Sequence, residues 1–542
     1  MKMLKENPVR VVEFANGQHV TVEGLVSLAG SNVFRVRYGR NTGYVFQRAL
    51  VSKAVEAKEA LADQGVVIIN PADWRSLTQA FAGIDRFGKA PLIEQPGWTG
   101  SYYALPSGKV FRPKGDPRPQ VMFKRQRSFI ASKGKLKDWR DTIAKPLTGQ
   151  VIPMVAILGA LAAPLLRIIG DNENFGFEFS GPPETGKTTS LKVMASVSGN
   201  PQTVPTFNAT LAGFEDRFHE FNDAPYPIDE ANLAERNGPD FIKDFVFSMA
   251  NGRARETRFA KDRTGHRFVF GSSANRPFFE SLASTNTHIA DAAIQRLLPL
   301  VVDEDSEFGV FDHLPPGYAT SGELATHLKR AMEANYGTAL KQFLKRLVEA
   351  QAHDAEGVRQ QIELKIASFE AAVGLADSAR GKSRASTAFG LLYAAGVFAQ
   401  MHGILPAEWE VRAACLKGYE RYRATLPNLK PWRARVAELL ARPGIVRLEK
   451  RDLPEMSDEQ VAQHGVFLRN GAKGRVELLI DSHTQHTHFP DWQSLMQTAD
   501  FAGSVKADKG HATVHRQIRS NKDRERMGCI IVPPELLGRE DL

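Results

Sequence analysis

Short runs of alternating apolar and polar residues open the chain. VVEF, HVTVEGLVSL and NVFRVRYG lie between Arg10 and Ala49, separated by Asn-Gly and Gly-Ser turns, and this period-two pattern predicts β-hairpins. From Leu50 to Ile84 the pattern changes to helix, strand and helix, with VVII at 66–69 as the strand and Asn70-Pro71 breaking into the next helix. Gln95-Pro96-Gly97-Trp98 begins a second small β-rich stretch, with turns at Pro106-Ser107-Gly108 and Pro113-Lys114-Gly115. Between Val151 and Asp303, helical patterns alternate with the apolar runs FGFEFS, APYPID, FVFGSS and LLPLVV, which argues for βαβ units around a parallel sheet. Residues 321–429 read as almost purely helical. The remainder mixes helices (WRARVAELLAR, FPDWQSLMQTA, ATVHRQIRS) with the short strands RVELLI and GCIIVP, and no internal repeat is visible. Helix, helix, then a β-wing is the order of a winged-helix module.

Composition narrows the classes. Hydrophobic residues make up 42% of the 542 and charged residues 24%, ordinary values for a globular protein. Lys plus Arg exceeds Asp plus Glu by 70 − 61 = +9, which permits a polyanionic partner. Two cysteines, Cys415 and Cys529, exclude a disulfide framework and a four-cysteine zinc site, and suit a reducing cytoplasm. MKMLKENPV has no apolar core of a secretory signal. The run VIPMVAILGALAAPLL holds two prolines in 16 residues and meets Arg167 at once. A spanning helix needs roughly 20 apolar residues, so a buried helix is expected and no membrane. Residues 111–140 carry ten Lys or Arg against two Asp, interleaved with Phe111, Phe123, Phe129 and Trp139. That mixture suits a nucleic-acid surface, or a solvated β-surface with its rings in the core. His483, His486, His488, His511 and His515 lack a cysteine or a well-spaced carboxylate to complete a metal set, and the first three read as a polar loop.

The candidate chemistry starts at Gly181-Pro-Pro-Glu-Thr-Gly-Lys-Thr188, a full match to G-x-x-x-x-G-K-[ST] between the strand FGFEFS and a helix opening TTSLKVMASV. Glycines let backbone N–H groups curl around phosphates, and the helix N-terminus adds its dipole. The nucleotide-binding candidates are Gly181, Glu184, Thr185, Gly186, Lys187, Thr188 and Thr189, for ATP with Mg²⁺. Lys187 reaches the phosphates, and the Thr188 hydroxyl ligates Mg²⁺. APYPID ends in Asp229-Glu230, 229 − 187 = 42 residues after the lysine, although Pro225 and Pro227 each remove a ladder donor. Asp229 is placed for the Mg²⁺ shell and Glu230 for the general base. FVFGSSAN ends in Asn275, 275 − 229 = 46 residues further on, suited to orienting the lytic water. Arg296, after the helix ADAAIQ, sits where ring ATPases project a finger into a neighbour, worth about 10³ to 10⁵ in rate. Arg276 is the competing finger. Between the acid pair and Asn275 runs a basic hairpin with Arg253, Arg255, Arg258, Lys261 and Arg263, suited to a ring's pore and a phosphate backbone.

Taken in order, GPPETGKTTSLKVMASVSGNP, PIDEAN, MANGRARETRFAKDRTGHRFVFGSSANRP and AIQRLLPLVVDE resemble AAA+ ATPases. More closely they resemble the "domain of unknown function 927" family, met in self-loading replicative helicases of mobile genetic elements and phages. Gly97-Trp98 with YALPSG, Asn335-Tyr-Gly-Thr338 with QFLKRL, and Ser383-Arg384 opening STAFGLLYAAGVFA support the likeness over residues 90–430. The resemblance implies an ATP-driven hexameric ring acting on DNA, with Arg384 as a nucleotide-sensing arginine on the lid. No primase segment is recognisable, which implies a separate priming protein. The expected organisation is an α/β AAA+ fold in five parts: an N-terminal α+β domain (1–85), a basic β-rich segment (86–140), the ATPase core (141–312), a helical lid (313–430) and a winged-helix-like domain (431–542). A regulatory or anti-phage defence ATPase whose ring assembly is the output is the alternative. A pure nucleotide-locked binding module would need neither Glu230 nor Asn275.

Overall fold

In the computed structural model the alternating N-terminal runs pair as an antiparallel meander, β1 (Val9–Glu13), β2 (His19–Val26), β3 (Asn32–Tyr38) and β4 (Asn41–Phe46). The structure describes residues 9–52, 54–123, 128–170, 173–230, 238–253, 265–283, 287–374, 384–426, 432–442, 444–449, 453–471, 474–489, 492–496, 499–508, 513–519 and 525–537. The chain divides into two compact units, Met1–Arg276 with Gln295–Arg421 in one, and Pro277–Ile294 with Tyr422–Leu542 in the other.

In the first unit, Val20, Val22, Phe34 and Val36 of the meander pack with Trp74, Leu77 and Phe81. Those three recur at helical spacing on Pro71–Ala82, whose start is set by Pro71 and by the Asn70 side chain accepting from Ala72 N–H. The expected strand at 66–69 does not form. Val66 is buried, but its N–H closes a turn onto Leu61 O, and Val67 and Ile69 are 52% and 87% exposed, so no partner strand lies beside them.

The following β-rich stretch is tied in by short pairings. β5 (Gly88–Lys89) runs parallel to β2, and β6 (Leu92–Ile93) runs parallel to β10 (Gln120–Val121). β7 (Gly97–Thr99), β8 (Tyr102–Ala104) and β9 (Val110–Phe111) form a small antiparallel sheet around the expected Pro106-Ser107-Gly108 turn. A buried carboxylate anchors it: Asp223 accepts from Trp98 N–H at 2.8 Å and pairs with Arg167 at 2.9 Å. Only glycine fits at 97, where φ is +92° and a Cβ would sit 2.5 Å from Asp223 Oδ2. Phe111, Phe129 and Trp139 are buried, so the basic stretch keeps these rings in the core and does not offer them to stack on bases.

Four parallel strands form the central sheet: β11 (Phe175–Ser180), β12 (Ala224–Ile228), β13 (Phe268–Ala274) and β14 (Leu297–Val301), in the order β12-β13-β11-β14. The prolines of APYPID are explained by position. β12 is at the edge, and Asp229 N–H, two residues past Pro227 and on the same side of the strand, reaches outward to Pro205 O. The missing donors of Pro225 and Pro227 therefore face away from β13. All residues of Val151–Ala162 are buried, as expected of a core helix. Among the described residues no helix is long and apolar enough to cross a membrane. The helical stretch holds Ser321–Ala334, Thr338–His353, Ala355–Ala372, Arg384–Met401 and Val411–Thr425.

The second unit contains a mixed sheet of β15 (Val446–Leu448), β16 (Val466–Asn470), β17 (Val476–Ile480), β18 (Val514–Arg516) and β19 (Glu525–Ile531), in the order β15-β16-β17-β19-β18. Its core gathers Trp432, Val436, Leu478, Trp492 and Phe501. Two local expectations are corrected. ATVHRQIRS contributes a strand, β18, because Val514–Arg516 pairs antiparallel with β19. The histidine run is a helix, Ser482–His488, because Asp481 caps it by accepting from Thr484 N–H.

Candidate functional site

β11, β12 and β13 end side by side, with Ser180 opposite Ala274 and Ile228 opposite Ser272. Chain order then delivers the chemistry to one place. Gly181 follows β11, Asp229 follows β12, and Asn275 follows β13.

The glycine loop is shaped by close approach. At Gly181 (φ +143°) a Cβ would lie 2.6 Å from Val302 O, and at Gly186 (φ +90°) 2.8 Å from Val310 Cγ2. Glu184 also adopts a left-handed φ of +63°. Val310 N–H donates to Thr185 O at 2.8 Å, and Thr185 Oγ1 donates to Pro182 O at 2.9 Å, which fixes the loop from both sides. The helix Lys187–Ser198 begins directly after Gly186. Lys187 is buried, its ammonium donates to Pro182 O, and burial lowers its pKa. Glu184 and Thr188 are exposed and Thr189 is half-buried on the same turn.

Asp229 is the hub. Its Oδ1 accepts from Ser273 Oγ at 2.5 Å and from Glu230 N–H at 2.9 Å, and lies 3.4 Å from Thr188 Oγ1. Glu230 turns out of the strand at φ +61° and is exposed. Asn275 and Arg276 are exposed one and two residues past β13. Thr188 and Asp229 offer hard oxygens at one point, a donor set that fits Mg²⁺, which takes one or two protein oxygens and fills the rest with phosphate and water. Among the described residues no cluster of three or more His, Cys, Asp or Glu forms a metal site. Sequence reasoning missed Ser273, which holds Asp229 across the strand gap. Its signal was the polar Ser272-Ser273 pair at the end of an otherwise apolar strand.

Other candidates lie at the opposite end of the sheet, where the strands begin. A strand of this length spans roughly 17 Å. Arg296 directly precedes β14, and its carbonyl accepts from Gly176 N–H near the start of β11. Its guanidinium lies 4.9 Å from the Phe247 ring centroid, and its pKa is lowered first by burial, then by the Arg384 charge, against the opposing pull of Glu173. Arg384 pairs with Glu173 at 2.8 Å. The structure thus brings Arg384 to Arg296 and not to its own glycine loop. The physical reason is that the helix Arg384–Met401 starts beside the beginning of β11, while the loop follows its end. Arg253 is exposed at the same end, and His266 N–H donates to Gly252 O at 2.8 Å, closing the base of the basic excursion. Arg255, Arg258, Lys261 and Arg263 lie outside the described residues.

These features describe a mixed α/β protein whose parallel sheet gathers a glycine loop, a lysine and an acid pair along one edge. Residues 31–264 match the model of the family described as "Domain of unknown function (DUF927)", a match over less than half of the chain. The match begins inside the N-terminal meander and ends at residue 264, so it overlaps the expected span of 90–430 only over 90–264. Among solved structures, the chain is similar to SCCmec type IV Cch, described as an active helicase. The likeness has a TM-score of 0.59 at 16% identity and covers 97% of this chain and 93% of that one, which establishes a shared fold. The apo C-terminal region of NrS-1 matches over 70% of this chain and 87% of that one, at 10% identity and a TM-score of 0.22, too low to carry an argument. No curated protein matches the sequence.

Proposed function

We propose that this chain is an ATP-hydrolysing DNA helicase or translocase, working as a hexameric ring with an AAA+ core in the replication of a mobile genetic element or phage. The observation that carries the reading is the meeting of Thr188, Asp229 and Ser273 beside Lys187 at the ends of adjacent parallel strands. The fold shared with an active helicase supports it.

In this reading the N–H groups of the glycine loop and of the first turn of Lys187–Ser198 cradle the phosphates. Lys187 leaves Pro182 O for a phosphate oxygen. Thr188 and Asp229 would hold Mg²⁺, which would supply positive charge to neutralise the phosphates. Ser273 and the Glu230 N–H orient the Asp229 carboxylate for that task. Glu230 reaches out to the attacking water as general base, and Asn275 orients that water from the neighbouring strand.

The arginines divide by position. Arg276 stands beside Asn275 at its own chain's site, whereas Arg296 and Arg384 stand a strand length away. A residue that far off serves catalysis only at a neighbour's nucleotide, so Arg296 is the finger and Arg384 accompanies it across the subunit boundary. Arg253 lies at that end, and the basic segment that begins with it is assigned the pore contact with single-stranded DNA. The second unit is assigned a docking role on duplex DNA, and priming falls to a separate protein.

The test is steady-state ATP turnover with and without single-stranded DNA, with Lys187→Ala as the blank. Several-fold stimulation by DNA is expected, followed by unwinding of a forked duplex. Turnover indifferent to DNA would remove the motor and favour a regulatory ring.

A further inference from the structure

The helix that starts at Lys187 ends at Ser198, roughly 16 Å away at 1.5 Å per residue. Its far end forms one wall of a cavity of about 680 Å³ that none of the roles above uses. Three observations give this cavity a chemistry. Lys109 and Lys341 both line it, near enough that the charge of Lys341 acts on the Lys109 ammonium. Lys109 is exposed as a residue, and partial burial together with the Lys341 charge pulls its ammonium down to about 8. Two like charges held together in a concave site are what a bound anion relieves.

The second observation is Ser198, which also lines the cavity. It is 2% exposed, and its Oγ has no hydrogen-bond partner. A buried hydroxyl without a partner is a group awaiting one. The third is the 16-residue helix Thr338–His353, which begins at the wall with Gly337 as a cap that offers no side chain. Its uncapped first-turn N–H groups and the positive end of its dipole favour an anion. Glu220, bonded to the lining residue Ser128, is taken up by Ser128 Oγ at 2.6 Å and Phe129 N–H at 3.1 Å. Two carbonyls at the end of Lys187–Ser198 are also occupied, since Gly337 N–H donates to Ser196 O and Gly199 N–H to Ala195 O. Leu105, Ile130 and Leu340 supply apolar wall for a body attached to the anion.

We propose that this cavity is a second phosphate-binding site, in which Lys109, Lys341, the N-terminus of Thr338–His353 and Ser198 Oγ hold the phosphate of a nucleotide or of a DNA strand. Because the wall is the far end of the glycine-loop helix, a ligand here bears on the same helix that receives ATP. The site does not depend on the hydrolytic reading above.

The experiment uses the full chain carrying Lys187→Ala, so that the glycine loop contributes least. Binding of pyrophosphate, of AMP and of a 12-nucleotide oligo-dT is measured by calorimetry, with and without Lys109→Met and Lys341→Met. At least tenfold weakening of one probe by each substitution is expected, and which probe responds identifies the source as a free nucleotide or a strand. No binding of any probe overturns the site, as does binding that both substitutions leave unchanged. Both lysines are exposed, so the variants fold, and their melting temperatures without ligand should equal or exceed the parent's.

Discussion

The two ends of the central sheet are built from different materials. Where β11, β12 and β13 stop, the groups are backbone N–H, glycine, Thr188, Ser273 and Asp229, joined by contacts of 2.5 to 3.4 Å. Where the strands begin, the groups are long arginines, with Arg296 lying over Phe247 and Arg384 paired to a half-exposed Glu173. The first end is fixed by covalent geometry and strand register, and tolerates little change of shape. The second is fixed by side-chain packing, with Arg296 half-buried and Arg384 about 40% exposed. The ring proposed above would use both, one end that receives and one that reaches.

The largest expected effect lies at the reaching end. Arg296→Ala should lower ATP turnover by about 10³-fold or more while leaving nucleotide binding intact. Mixing it with Lys187→Ala should recover part of the activity, because a wild-type Arg296 from one chain can then face a wild-type Lys187 from another. Mixed rings as dead as either parent would show that Arg296 does not act across a boundary. At the receiving end, Ser273→Ala removes a donor to Asp229 worth about 1.5–3 kcal/mol, so kcat should fall about 10- to 100-fold, read by turnover at saturating Mg²⁺ and ATP. An unchanged rate would mean that Asp229 needs no brace.

Gly186→Ala meets a φ of +90° and a contact of 2.8 Å with Val310. It should cost about 1–3 kcal/mol of stability, visible as a lower melting temperature together with weaker nucleotide binding. Arg384→Ala breaks an ion pair about 40% exposed on each side, worth at most about 1 kcal/mol, and should leave ATP affinity unchanged. A tenfold loss of ATP affinity would place Arg384 at its own chain's loop and erase the contrast between the ends.

The smallest effect lies at the far end of the glycine-loop helix. Lys109 titrates at about 8 when folded, against 10.5 as its ordinary value. Between those values the unfolded chain binds more protons, so this residue's contribution makes stability rise from pH 8 to 10.5. Denaturation midpoints across that range should rise less steeply in Lys109→Met.

Most of the receiving end was legible in the sequence, because each of its parts lies directly after a strand and the spacing of the strands reads from apolar runs. Lys187, Thr188, Asp229 and Asn275 lie just past the ends of β11, β12 and β13. Ser273 was not legible as a partner of Asp229, since β12 and β13 become neighbours only through the sheet order. VVII looked like a strand but found no edge to pair with, and ATVHRQIRS looked like a helix until β19 offered its own edge. Tertiary context overrode local pattern in both.

By itself the sequence determined the parallel sheet, the glycine loop and the acid pair, because these follow from local periodicity and from residues contiguous along the chain. Only the tertiary structure decided which strand lies beside which, and with it that Ser273 braces Asp229, that Arg384 sits with Arg296 a strand length from the loop, and that Lys109 and Lys341 meet around Ser198. Those pairings join residues between 44 and 232 positions apart. No local preference encodes such a meeting, which depends on how the packed faces of whole elements settle against one another.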